Sequence, residues 1–121
     1  MKNFIFLCIL IIMSLYEGCV PPASKNWAFN EEPSASVVTQ KKIAEGILPI
    51  LYVFRDSVDG QWIFLADEQS GGDEVIVLTL HDIVKMDASI RNISNLPTGW
   101  KAWREAKNKP WHRSKLTREL K

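Results

Sequence analysis

The sequence predicts a single small α+β domain, with two or three short helices packed beside a mainly antiparallel sheet. Three observations carry that expectation. Two apolar runs, Ile50 to Arg55 and Gln61 to Ala66, flank a polar turn, the pattern of a hairpin. Strand-like and helix-like segments follow in the order β, α, β, β, β, α, α, β, which sets helices apart from consecutively paired strands. The chain has 121 residues, and once an apolar leader is set aside about 100 remain, enough for one domain and too few for two.

The leader comes first. Lys2 precedes the apolar stretch Phe4 to Tyr16, whose thirteen residues reach roughly 20 Å as a helix, short of the ~30 Å a spanning segment needs. Residues 1–18 therefore read as a signal peptide. Leu15-Tyr16-Glu17-Gly18-Cys19 resembles a bacterial lipobox, which implies lipidation of Cys19 and a place in the cell envelope, on a membrane or in the periplasm. Residues 19–35, with adjacent Pro21 and Pro22, read as a tether. Cys8 and Cys19 are the two cysteines, so the segment beyond position 19 has no thiol for a disulfide or a metal.

The domain is expected over residues 36–111. Ser36-Val37-Val38 is a short extended stretch, and Thr39 can cap a helix from Gln40 to Glu45 that ends at Gly46, with Ile43 and Ile47 on its buried side. Pro49 opens the strand Ile50 to Arg55, Asp56 to Gly60 forms the turn, and Gln61 to Ala66 returns. Apolar residues at successive positions in both strands argue for burial on both faces. After the loop Asp67 to Asp73, Glu74 to Leu78 is a third strand. Thr79 and Asp82 have capping-box spacing for a helix through Met86, with Ile83 and Met86 facing inward. Asp87 caps a second short helical segment that Pro97 stops, and Gly99 to Arg104 is a last extended segment.

Near-neutral total charge conceals two unlike parts. Residues 19–100 hold six Lys or Arg and eleven Asp or Glu, a balance of −5, whereas residues 101–121 hold eight and two, a balance of +6. Residues 112–121 read as a solvated basic C-terminal tail that could also meet anionic lipid headgroups. An acidic body without a continuous basic face argues against nucleic acid.

Catalytic and metal chemistry find little support. The two histidines are His81 and His112, and no HExxH, CxxC, nucleophile elbow or phosphate loop occurs, so no enzyme activity, metal or cofactor is expected. Asp67, Glu68, Asp73 and Glu74 match no calcium loop. The aromatic residues are more informative. Trp62, Trp100 and Trp103 fall in ordered segments, where packing in the core is the ordinary outcome and service as binding anchors the sharper one. Arg55 and Arg104 stand beside them. Together with Asp56, Asp59, Asp67, Glu68 and Asp73 on an acidic hairpin face, Arg55, Trp62, Trp100 and Arg104 form the set of candidate partner-binding residues.

In order, the segments SVVTQKKIAEGILPILYVFRD, VDGQWIFLADE, VLTLHDIVKMDASI and LPTGWKAWREAKNKPW resemble a small bacterial domain-of-unknown-function family grouped with predicted immunity proteins of polymorphic toxin systems. The resemblance runs from about Ser36 to Trp111, through Val38-Thr39, Gly46, Tyr52, Arg55, Asp59, Gly60, Trp62, Leu80 to Ile90, and Pro97 to Arg104. It implies an α+β domain without catalysis that binds and neutralises a toxin, so the expected partner is a protein. The other reading is an envelope lipoprotein that binds a glycan or another small ligand through surface tryptophans, Trp62 and Trp100.

Overall fold

Asp56 to Gly60 reverses the chain as predicted. The Gly60 N–H donates to the Asp56 carbonyl and the Asp56 N–H to the Gln61 carbonyl, both at 3.0 Å. Gly60 adopts φ +72°, a conformation that a Cβ would penalise. The turn joins β2 (Tyr52–Arg55) and β3 (Trp62–Leu65), antiparallel with Tyr52 opposite Leu65 and Arg55 opposite Trp62.

The computed structural model describes residues 27–68 and 73–116. The expected signal peptide, the expected lipidation site at Cys19 and the end of the expected basic tail lie outside them. The hairpin is the centre of a six-stranded sheet with β1 (Ser36–Gln40), β4 (Val75–Thr79), β5 (Trp100–Trp103) and β6 (His112–Lys115). The strand order is β4-β1-β3-β2-β5-β6, antiparallel throughout except that β1 runs parallel to β3. The helices are α1 (Lys41–Ala44), α2 (Leu80–Met86) and a 3-10 helix over Ala88–Ile93. This is the expected α+β domain, mainly antiparallel sheet. No helix among the described residues is long and apolar enough to cross a membrane.

Strand register sorts the side chains into two faces. Val53 lies opposite Phe64 and Ala102, and Thr39 opposite Phe64 and Ile76, so these residues share a face with Val37 and Trp62. That face is the core. Val37, Val53, Phe64 and Ala102 are fully buried against Leu80 and Ile83 of α2 and Ile90 and Ile93 of the 3-10 helix. Each large side chain removed from water there contributes about 1.5–3 kcal/mol. The predicted capping box at α2 is present: the Asp82 N–H donates to Thr79 Oγ1 at 3.1 Å, and the Thr79 N–H to Asp82 Oδ2 at 3.2 Å. Asp87 starts the next helix by accepting from the Ser89 N–H.

Four features depart from expectation. Thr39 does not cap α1, because it is still part of β1; its buried hydroxyl donates to the Phe64 carbonyl at 2.9 Å. Gly46, at φ +78°, stops the helix where expected, but Ile47 beyond it is turned outward to 63% exposure, so Ile43 alone of that pair is buried. Part of the expected tether is packed: Phe29 is 5% exposed and meets the Trp62 ring edge-on at 5.3 Å. Backbone bonds from His81 and Leu80 to the carbonyls of Pro33 and Ala35 fasten that segment to α2. Finally, the start of the expected tail is strand β6, so the packed unit extends past Trp111.

Candidate functional site: the open face of the sheet

Three of the predicted binding residues turn inward, where each has a structural task. Trp62 is 2% exposed in the core. Arg55, whose Cζ sits 4.6 Å over the Trp62 ring, bonds the carbonyls of Gly60 and Leu96 and pairs with Glu31 Oε2 at 3.0 Å. It clamps the turn, the loop before β5 and the N-terminal segment. Arg104, 2% exposed, donates twice to the Ile50 carbonyl, to Ser89 Oγ at 2.8 Å and to Asp87 Oδ2 at 2.6 Å, and lies 4.1 Å from the centre of the Trp111 ring. None of the three is a surface anchor, and with Trp62 buried the glycan reading loses one of its two stacking rings. Trp100 is half-buried and packs against the core.

The acidic residues do not form one face. Asp56 and Asp59 stand at the β2–β3 turn, while Asp67, Glu68 and Asp73 lie at the other end of β3, roughly 13 Å of strand away. Asp59 accepts from the Gln61 N–H at 3.0 Å, and that bond, followed by one from Asp56, lowers its carboxyl pKa. Asp73 receives the N–H groups of Lys42 and Glu74, and Glu68 pairs with Lys101 at 3.6 Å. The Asp87 carboxyl, next to Arg104, is opposed in its charge by burial, yet the bonds from Ser89 and Arg104 prevail and hold its pKa below the ordinary value.

The larger opportunity is the side of the sheet that no described helix covers. Residues alternating with the core set fall into two rows across the strands. One runs Val77, Val38, Ile63, Phe54, Lys101, Ser114; the other includes Leu65, Tyr52, Trp103 and His112. Tyr52 and Phe54 stack at 6.5 Å with planes 11° apart. Trp103 lies 5.4 Å from the His112 ring and carries Lys101 Nζ 5.4 Å over its own ring. Phe54 is 4% exposed, buried yet outside the core cluster, whereas Tyr52, Ile63, Leu65 and Trp103 are half-buried and open to a partner. Glu68 beside Lys101 and Glu105 beside His112 at 2.8 Å give the patch a charged rim. The Glu105 carboxyl has a lowered pKa, through its own backbone N–H and then through His112.

Trp103 was legible as an ordered aromatic, but Tyr52, Phe54 and Lys101 were not among the predicted site residues. The signal was present in the second apolar set of β2 and β3, which the sequence assigned to a second buried face. A cleft of about 470 Å³ opens between the α1–β2 loop and the end of α2, lined by Ile43, Ile47, Leu48 and Met86. Asp87 on its wall is committed to Ser89 and Arg104, and Glu45 and Lys107 are the other charged residues of its lining. In comparisons with known protein families, curated proteins and solved structures, the chain matches none.

Proposed function

We propose that the protein is a non-enzymatic binding protein, tethered to the bacterial envelope through its leader, that engages a protein partner across the open face of the sheet. On the resemblance described above, that partner is a toxin and the protein an immunity protein. The observation that supports this reading is the aromatic patch of Tyr52 and Trp103, backed by buried Phe54, with its rim of Lys101, Glu68, His112 and Glu105. Apolar rings at the centre and charges at the edge are the anatomy of a protein interface.

The test is a pull-down with the product of a neighbouring toxin-like gene, comparing the wild type with Trp103→Ser, Tyr52→Ser and the charge reversal Asp67→Lys/Asp73→Lys. Loss of about 2 kcal/mol on either aromatic substitution, roughly 30-fold in Kd, is expected of an interface anchor. Binding unchanged by Trp103→Ser and Tyr52→Ser would sink the open face as the contact. Binding lost only on charge reversal would move the contact to the Asp67 end. Palmitate labelling of wild type against Cys19→Ser tests the tether, and equal labelling would refute it.

A further inference from the structure

We infer that the β4 edge is a self-association site, at which two copies of the chain pair their β4 strands antiparallel about Ile76. Backbone geometry identifies the groups. Lys41 N–H bonds to the Glu74 carbonyl and Leu80 N–H to the Ala35 carbonyl, and this alternation turns Glu74, Ile76 and Leu78 toward β1. Val75 and Val77 therefore aim their N–H and C=O groups away from the sheet, and their side chains are 50% and 65% exposed. The edge closes at Thr79, whose N–H is taken by Asp82. An edge offering backbone donors and acceptors beside exposed valines fits an extended strand rather than a helix or a lipid surface.

The occupant that fits is β4 itself. With the two-fold axis at Ile76, Val75 of each copy faces Val77 of the other, and the four outward residues exchange four backbone hydrogen bonds. Within the strand no like charges are opposed, since Glu74 falls opposite Leu78; Asp73 falls opposite Thr79, where the Asp82 carboxylate already takes the N–H, and this confines the pairing to Val75–Val77. The row Val77, Val38, Ile63, Phe54 of one copy continues into the row containing Leu65 and Tyr52 of the other.

The other sheet edge is guarded against the same pairing. By the same alternation, Leu116 N–H on the Gly99 carbonyl leaves Arg113 and Lys115 facing outward on β6. Arg113 is further held by Asn95 Oδ1 at 2.7 Å and the Asn92 carbonyl at 2.6 Å. Pairing of β4 with β6 in an endless row is thereby disfavoured, and the symmetric pair closes. A single strand pair covers less than the ~800 Å² per partner of a stable interface, so a weak, concentration-dependent dimer is expected.

The test uses the full chain in detergent solution, with Cys8→Ser and Cys19→Ser as background, so that the only thiol is the one introduced. In a pair centred on Ile76 the two copies' Cα atoms lie about 4.5 Å apart, within disulfide reach. Mild oxidation of Ile76→Cys should give a disulfide-linked dimer, and Lys115→Cys and the exposed turn variant Val58→Cys should not. No dimer from Ile76→Cys, or equal yields from Val58→Cys, overturns the proposal. A second variant, Val77→Lys, should abolish chemical cross-linking of the otherwise native chain while leaving its melting temperature unchanged; a dimer that persists in it also overturns the proposal. Toxin pull-down is read separately, so neither result depends on the other.

Discussion

Asp87→Ala strands the Arg104 guanidinium, whose side chain is 1% exposed, inside the protein without its counter-charge. Two donations to the Ile50 carbonyl and one to Ser89 Oγ remain, but none supplies a negative charge. Breaking a buried ion pair on one side costs about 3–5 kcal/mol. In a domain of this size each kcal/mol moves the midpoint by about 4–8 °C, so a fall of roughly 12–40 °C is expected. Urea unfolding followed by tryptophan fluorescence measures the loss, because Trp111 stacks on the same guanidinium. The double variant Asp87→Ala/Arg104→Met removes both charges and should be less destabilised than the sum of the single variants by about 2 kcal/mol. Acidity gives a second readout. A carboxylate whose pKa is lowered by folding stabilises above its unfolded pKa and ceases to do so as pH falls through the folded value. The gap between wild type and Asp87→Ala should therefore narrow on acidification. A single-variant loss under about 1 kcal/mol, or additivity in the cycle within ~0.5 kcal/mol, would refute the reasoning.

Two further outcomes test the frame around that pair. Gly60→Ala places a Cβ 2.9 Å from Arg55 Nη2 at a φ of +72°, so chemical denaturation should show at least about 1–2 kcal/mol lost from backbone strain alone; no loss would mean that the turn readily adopts another form. Phe29→Ala should cost about 3–5 kcal/mol if residues 27–35 belong to the core, and an unchanged denaturation midpoint would return them to the tether.

Where local chemistry dictates structure, the sequence was readable. The Asp56–Gly60 turn, the Thr79/Asp82 capping box and the Asp87 cap each depend on residues no more than four apart, and each is found in place. Features governed by distant partners were not. Thr39 has the look of a cap, but β3 and β4 hold it in a strand and its hydroxyl serves Phe64. His112-Arg113-Ser114-Lys115 has no apolar alternation, and pairing with β5 makes it a strand. For the candidate site, composition pointed to tryptophans and arginines as anchors. Register decides which of them face outward, and it turns Arg55, Trp62 and Arg104 toward the core and Trp103 away from it.

The placement of β1 governs when the chain can fold. Both strands that flank it are made later: Val38 lies opposite Ile63 on one side and Val77 on the other. The β2–β3 hairpin closes over a short loop, whereas β1 gains no ladder partner until the chain has been extended to β3, and it becomes an interior strand only once β4 exists. During N-terminal-first synthesis the segment Ser36–Gln40 therefore waits as an unpaired strand, exposed to mispairing or to capture by a chaperone. On this topology, locking β1 between its neighbours is expected to be the slow step of folding. Substitutions at Val37 or Thr39 should lower the refolding rate, whereas those in β6 should mainly raise the unfolding rate.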